Sequence, residues 1–426
     1  MIAPIVLVAL LAASAFNLFQ ANGNIEKEYG GYLSEARSFA AKGIEVDATE
    51  YYLKAVELRN SFDLGLEIST HFKKSGKYDE ALDFGYELLK SYPRKAEIYH
   101  FLMTLHFEEG DYMSCFKLSD TMQKRKLPMG SVLELLEEID NCYFLTGQYD
   151  DVSVFGGGYC PVKVKSAWGY VNETGERAVK TRFTEAGPFR QGLAPVLDSE
   201  SQAYFIDPDG NKKKTGTEKA LRLGPIEDGV YTAFDGEKWG LYGNGDKLLL
   251  GGFDDISTFA NSIAAAKAGG KWSILDSKGN PTSQATFDEV ALDEKRVAYR
   301  SNRLFAKDNG FYYLMDKSGK AVSTSKFEDA RLFNDTSYAA VKLGSKWGFI
   351  DIDGNFVIEP AYDGARSFSG GFAAVLIDGK WGFIDCKNKL AIPNIFDDAK
   401  DFNSHGCAFI SFGDGWELLK LYKFNH

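Results

Sequence analysis

The chain has 426 residues, enough for two or three domains, and its charged (26%) and hydrophobic (44%) shares exclude wholesale disorder. A net charge of −11 and a pI near 5.2 argue against a general nucleic-acid binder, which needs a basic surface to displace counterions. With 43 glycines and 14% aromatic residues, many tight turns and strands are expected. No reaction is legible in the sequence, but an architecture is.

Ile2 to Phe19 carries no charge, and only Ser14 and Asn17 within it are clearly polar. A spanning helix needs about 20 apolar residues, so residues 1–22 read as an N-terminal apolar segment. As a cleaved signal peptide it has an Ala13-Ser14-Ala15 site but no basic residue before its core. As a membrane anchor it has the length, with Phe16 and Phe19 near one boundary. A buried soluble helix is the third reading. Lys27 and Arg37 follow the segment, which by the positive-inside rule favours a cytoplasmic body. A single N-terminal apolar segment on a repeat protein more commonly accompanies export. The expectation is therefore a membrane-anchored or secreted protein with its body outside the cytoplasm.

From Asn24 to Gly147 the apolar period is helical. Ile98, Phe101, Leu102 and Leu105 share a face, as do Val132, Leu133 and Leu136. Turn signals at Lys42-Gly43, Ser75-Gly76, Tyr92-Pro93, Glu109-Gly110, Leu127-Pro128 and Thr146-Gly147 cut the block into helices of hairpin length. Gly76, Tyr78 and Ala81 recur 34 residues later as Gly110, Tyr112 and Cys115, and Gly147 and Tyr149 follow after 37. Glycine suits a left-handed helix end, and the small residue lets two helices approach closely. Asp47 to Ala55 reads as another second helix. This block resembles tetratricopeptide repeats, without the first-helix Trp and the Leu-Gly pair of that family.

The second block repeats one phrase. Lys346-Trp347-Gly348-Phe349-Ile350-Asp351 returns as Lys380-Trp381-Gly382-Phe383-Ile384-Asp385. Trp168-Gly169 and Trp239-Gly240 carry the same pair, while Trp272, Tyr312 and Trp416 keep the ring and lose the glycine. Ala203-Tyr204 fills the remaining slot, so the slots fall at 168, 203, 239, 272, 312, 347, 381 and 416. Their spacing is close to 35, except for 40 between Trp272 and Tyr312. A second phrase, an aromatic residue followed by two acidic residues, runs in phase at Tyr149-Asp150-Asp151, Phe253-Asp254-Asp255 and Phe396-Asp397-Asp398. Phe327-Glu328-Asp329 and Tyr362-Asp363-Gly364 are variants of it. Inside a unit the period is two, and Asp378-Gly379 is a hairpin signal. Three strands, with room for a fourth, fit each unit. Such a unit cannot bury its own face, so neighbours must stack, and glycine after Trp removes a side chain where another backbone or ring approaches.

These phrases resemble the WG-repeat family of bacterial proteins. The resemblance implies a β-rich repeat array with a binding or structural role and no known catalytic residues. Its structural repeat positions are Trp168, Gly169, Trp239, Gly240, Trp272, Trp347, Gly348, Trp381, Gly382 and Trp416.

Other candidates weigh toward plain structure. Asp207-Pro208-Asp209-Gly210 and Asp351-Ile352-Asp353-Gly354 lack the further ligands of a calcium loop and read as hairpin turns. His71, His100, His106, His405 and His426 have no metal spacing, and Ser404-His405 lacks a nucleophile elbow. Gly156-Gly157-Gly158 reads as a hinge between the blocks, Lys212-Lys213-Lys214 as a solvated face, and the acidic pairs as turns and caps. Cys115, Cys142, Cys160, Cys386 and Cys407 are odd in number and scattered, fitting small buried hydrophobes rather than a disulfide framework or zinc site.

The fold class expected is α plus β in separate domains. A helical-hairpin, tetratricopeptide-like solenoid over 23–148 precedes an all-β repeat array over 149–426, with a β-propeller favoured over a β-solenoid. The function expected is non-enzymatic: a binding or scaffold protein mediating protein–protein interaction at the cell envelope. The alternative is carbohydrate or cell-wall binding through the β-array, which requires aromatic rings exposed in register. No catalytic, cofactor or metal residue is assigned. A protein or peptide partner is expected, a glycan is possible, nucleic acid is not expected, and the membrane is reached through the N-terminal segment.

Overall fold

The computed structural model describes residues 23–227 and 229–424. The chain divides into two units, one ending at Cys142 and one beginning at Tyr143. The apolar segment 1–22 lies outside the described residues. Among the described residues, no helix is long and apolar enough to cross a membrane.

The first unit is helical: α1 (Gly23–Ala41), α2 (Glu45–Leu58), α3 (Phe62–Lys74), α4 (Tyr78–Ser91), α5 (Ala96–Glu108), α6 (Tyr112–Lys124) and the short α7 (Leu133–Ile139). The first six form three hairpins. Gly43, Gly76 and Gly110 end the first helix of each at φ +70°, +71° and +74°. In each, the next residue's N–H donates five residues back: Ile44 to Phe39 O, Lys77 to Phe72 O and Asp111 to His106 O. That is the bond pattern of a left-handed helix end. The small residues Ala48, Ala81 and Cys115, three positions into each second helix, are fully buried. The turn chemistry at Gly43 thus makes 23–58 a third hairpin of the same kind.

The second unit is a ring of eight sheets. Blades 1 to 8 span 151–183, 185–215, 222–253, 255–276, 289–315, 329–362, 364–396 and 398–421. Each opens with a two-residue strand, continues with an antiparallel hairpin, and in six blades ends with an outer fourth strand. The eighth blade takes that outer strand from the front of the unit: Tyr143–Tyr149 pairs antiparallel with Gly415–Leu421. The first strand thus closes on the last, and the array is a propeller rather than an open solenoid. Closure removes the free edges an open stack would leave.

This moves the block boundary. The helical pattern was expected to run to Gly147 and the β-array to open at Tyr149. Instead α7 ends at Ile139, and Tyr143, Phe144 and Leu145 are strand residues paired with Leu421, Lys420 and Leu419. Gly147 has the expected positive φ (+71°), but it sits at a bulge between Thr146 and Tyr149 and caps no helix. Gly156-Gly157-Gly158 is no hinge between blocks either. It is the turn inside blade 1, and a Cβ on Gly156 would lie 2.7 Å from Phe189 O.

All eight slots occupy one register position. Trp168, Ala203, Trp239, Trp272, Tyr312, Trp347, Trp381 and Trp416 each begin or nearly begin the third strand, and each pairs with the residue that itself pairs with the first position of the short strand. The glycine after Trp answers to the fourth strand. Trp347 pairs with Tyr362 and Phe349 with Ile358, so the outer strand carries two extra residues across Gly348. A Cβ there would stand 2.6 Å from Ile358 O and 2.8 Å from Pro360 N. Gly169 and Gly382 face the same crossing, at 2.6 Å from Val179 O and 2.7 Å from Asn394 N. Where Ser273 and Tyr313 replace the glycine, the sheet has three strands, and the outer segment survives as isolated bridges such as Trp272–Phe287 and Tyr312–Phe327.

The acidic phrase joins neighbouring blades. Its first acid receives the lysine before Trp from the preceding blade, as in Lys346–Asp363 (2.6 Å) and Lys271–Asp288 (2.5 Å). Asp254 also accepts from Gly270 N and Asp397 from Gly413 N, so the acids work as turns and caps. Asp207 accepts from the backbone N–H four residues on, and Asp351 from those two and four residues on, inside hairpin turns.

Two predictions separate backbone crowding from side-chain crowding. Gly348→Ala and Gly382→Ala should each cost about 2 kcal/mol or more, because the added carbon meets backbone. Gly240→Ala should cost clearly less, since it meets side-chain atoms at 3.0 Å and backbone only at 3.4 Å. Thermal unfolding of the three variants checks the order; equal losses would contradict it.

Candidate functional site

Each unit presents a concave feature. In the helical unit, a groove of about 620 Å³ runs over the first helices of successive hairpins. Leu66, Thr70 and Lys73 of α3 form one wall, and Ala96, Glu97, His100, Phe101 and Thr104 of α5 the other. Pro128 to Ser131, leading into α7, close its end. The spacing is helical: 66, 70 and 73 on one helix and 97, 100, 101 and 104 on the next bring one face of each toward the groove. His100 is exposed there, whereas His106 is buried on the other side of α5. The sequence reading named His100 and Phe101 but did not single out this face.

In the ring, the segments after the short strands of blades 1, 5, 6, 7 and 8 line a common cavity of about 360 Å³. It is crossed by a loop that breaks the repeat. Residues 291–303 separate the first two strands of blade 5, where only 257–262 do so in blade 4. Asp293 folds the loop back by accepting from Lys295 N (2.9 Å) and Val297 N (2.8 Å). Glu294 then bonds Arg366 of blade 7 (2.7 Å) and Lys400 of blade 8 (3.1 Å). Arg296 bonds Asp255 of blade 4 and lies 5.8 Å from the Trp239 ring of blade 3. One loop therefore ties four other blades together. Burial pushes the Glu294 carboxyl up, but Arg366 and Lys400 outweigh it and hold it below its usual range. Asp401, buried and near Glu294, is pushed up. The charges in this cavity largely compensate one another. The signal for the loop was the spacing of 40 between Trp272 and Tyr312.

The repeat tryptophans form no row of exposed rings. Trp272 and Trp347 are buried and Trp168, Trp239, Trp381 and Trp416 half-buried. Cations cover most of these rings: Lys163 over Trp168, Arg331 over Trp347, Arg366 over Trp381 and Lys400 over Trp416, at 5.4 to 5.9 Å. A glycan platform needs rings exposed in register, and these tryptophans do not supply them. Gly169, Gly240, Gly348 and Gly382 are buried beside them.

Ser404 Oγ (3.3 Å) and Glu173 Oε2 (2.8 Å) both lie on Nδ1 of His405. A serine–histidine–acid relay uses opposite ring nitrogens, so this trio is not one. Among the described residues, no three or more His, Cys, Asp or Glu side chains come together to hold a metal ion. The lysine run is less free than a solvated face. Lys213 pairs with Asp207 (2.9 Å), and Lys214 pairs with Asp246 (3.2 Å) and lies 4.7 Å from the Tyr231 ring. Cys115, Cys160 and Cys407 are buried, but Cys386 is exposed and departs from the buried reading. Burial pushes the Cys115 thiol up to about 12.

The family model described as WG containing repeat matches residues 168–198, 244–272, 314–347, 347–381 and 381–416. A TPR repeat-containing protein of Methanocaldococcus jannaschii is 26% identical over 136 residues, 32% of this chain. The chain spans 23% of that relative's length. Among solved structures, BamB from Moraxella catarrhalis is similar at 11% identity and a TM-score of 0.43, over 65% of this chain and 99% of that one. A eukaryotic initiation factor is similar at 12% and 0.44, over 65% and 86%. PorZ, a bacterial surface component of the type-IX secretion system of Porphyromonas gingivalis, is similar at 10% and 0.35, over 65% and 37%.

The helical unit carries a pH dependence. His71 bonds Thr49 Oγ1 (3.2 Å), and His106 bonds Tyr86 Oη (2.7 Å) and Asp111 (3.0 Å). Burial lowers the pKa of both; for His106 it outweighs Asp111. Below about 6.5 the unfolded chain takes up protons that the folded chain resists. Stability of the helical unit is therefore full well above about pH 6.5 and falls as pH drops below it. Thermal unfolding followed by helical circular dichroism should show this fall, and a His71→Gln/His106→Gln variant should show a shallower one. Identical slopes would contradict it.

Proposed function

We propose that this chain, built of WG containing repeats and tetratricopeptide-like helices, is a non-enzymatic scaffold that binds a partner protein through its helical unit. The observation that carries this reading is the groove of about 620 Å³ over α3 and α5. Its floor is apolar at Leu66, Ala96 and Phe101, and its rim is polar at Thr70, Thr104, His100 and Glu97. An apolar floor with a few directional polar groups suits an extended or helical peptide segment, with side chains anchored below and backbone met at the rim. Solenoids of helical hairpins present such surfaces generally.

We place the protein at the cell envelope, membrane-anchored or secreted, with its body outside the cytoplasm. The support is the uncharged run Ile2–Phe19. Protease added to intact cells should digest the body; complete protection in intact cells, with digestion after lysis, would reverse the side.

The groove is tested with peptides selected by display against the full chain. Leu66→Arg combined with Thr104→Arg should weaken their binding at least about tenfold, or 1.4 kcal/mol, with helical circular dichroism unchanged. Undiminished binding by a folded variant would remove the groove from the mechanism, and recovery of glycan alone would sink the protein-binding reading.

A further inference from the structure

The ring holds an aromatic side chain at the same register position in every blade but one. Blade 2 carries Ala203 there, paired with Leu197, which in turn pairs with Glu185. In blade 7 the corresponding residues are Trp381, Leu376 and Gly364. There the indole lies over the short strand, its Cη2 3.3 Å from where a Gly364 Cβ would stand, and it packs with the cluster containing Ala399 of the next blade. The counterpart of Ala399 beside blade 2 is Leu223.

Between blades 2 and 3 there is a cavity of about 260 Å³. Glu185, Leu197 and Leu223 line it, at the positions that Gly364, Leu376 and Ala399 hold around the indole in blade 7, together with Ala203 at the indole's own position. Trp239 and Arg296 line it as well, with the guanidinium 5.8 Å from the Trp239 ring. Arg222 and Glu185, paired at 3.0 Å, stand at its lip. In three blades the residue after the short strand, Arg331, Arg366 or Lys400, covers the ring; in blade 2 that residue is Gly187, which leaves the cavity uncovered.

We propose that this cavity is a binding site for one aromatic ring of the indole or phenol class, contributed by a ligand from outside the chain. The repeat itself defines the chemistry, because the surrounding positions are those that accept indole elsewhere in the ring. Leu197 and Leu223 supply apolar contact, Trp239 an aromatic edge or face, and the nearby arginines attraction for a π face. The size suffices: an apolar cavity of roughly 150 Å³ binds benzene. The site is independent of the helical groove and stands whether or not that groove binds peptide. The ring's source is either a free heterocycle or the side chain of a partner's Trp or Tyr.

The test uses the full chain and indole as probe, followed by saturation-transfer NMR and thermal unfolding. Saturable binding is expected with a dissociation constant of about 0.1–1 mM, in keeping with a nine-atom ligand. Ala203→Trp should weaken it at least about tenfold, and should raise the melting temperature without ligand by supplying the ring covalently. Ala203→Leu, a smaller filling, should weaken indole binding also and decides the matter if the Trp variant does not fold. Absence of saturable binding, or equal binding by a folded filled variant, overturns the proposal. A Gly-Trp-Gly peptide assigns the source: competition with indole points to a partner side chain, and indole binding without peptide competition points to a free heterocycle.

Discussion

In three of the four blades that keep the Trp-Gly pair, the outer strand crosses the third strand at a point where no side chain fits. At Gly169, Gly348 and Gly382 the backbone of the outer strand stands where a Cβ would be. Its two extra residues form a bulge there, which bends the strand and increases its twist. The bulge also sets what comes next. Beyond it the outer strand places Phe183, Tyr362 or Phe396 opposite the blade's own Trp. After Tyr362 and Phe396 the following aspartate then turns the chain into the next short strand and receives the lysine that precedes Trp. Indole, glycine, bulge, opposing ring and inter-blade ion pair are thus parts of one joint. The exposed ion pairs add little energy by themselves; the crowding at glycine and the buried rings fix the geometry they decorate.

Ring closure follows from the same joint. Every aromatic–acidic phrase ends one blade and begins the next. Tyr149 pairs with Trp416 as Tyr362 pairs with Trp347. Its phrase therefore completes blade 8 before it starts blade 1. A chain cut at this point cannot finish either end of the array alone, and each end supplies what the other lacks. Strand 143–149 meets its partner only after the whole β-unit has been laid down, so closure is a contact of very high sequence separation. It carries a large loop-closure cost that the buried faces of blades 1 and 8 must offset.

Much of this was legible because the repeat is dense in residues with few structural alternatives. The eight slots could be placed from sequence, Ala203 and Tyr312 included, and the structure puts them in one register. Gly76 and Gly110 likewise marked helix ends through the only residue that adopts their backbone at no cost. Gly147 shows the limit. Its positive φ was inferable, but a positive φ serves a strand bulge as well as a helix end, and local sequence does not say which. The decisive clue was global: Tyr149 has no Trp before it in the array, and Trp416 has no aromatic–acidic phrase after it. The groove faces of α3 and α5 were hidden for a different reason, since a face that lines a groove and a face that meets solvent share the same mixed composition.

The departures from the repeat carry more functional information than the repeat does. An ideal array would place the same groups around its axis and the same rings between all its blades. Here, in the blades with Ser273 and Tyr313 at the glycine position, two outer strands are reduced to bridges. Directly alongside, blade 5 carries the long loop whose Glu294 and Arg296 reach blades 3, 4, 7 and 8. One of the two three-stranded blades is therefore the one whose loop reaches across the centre. Blade 2 departs in the opposite sense: it loses a ring, and Glu185 and Leu223, though larger than the Gly364 and Ala399 of the corresponding positions, leave a cavity beside Ala203. A substitution compensated from within the chain is structural in its consequences. One that leaves a cavity at a position where other blades hold an indole is where the ring can accept something that is not its own.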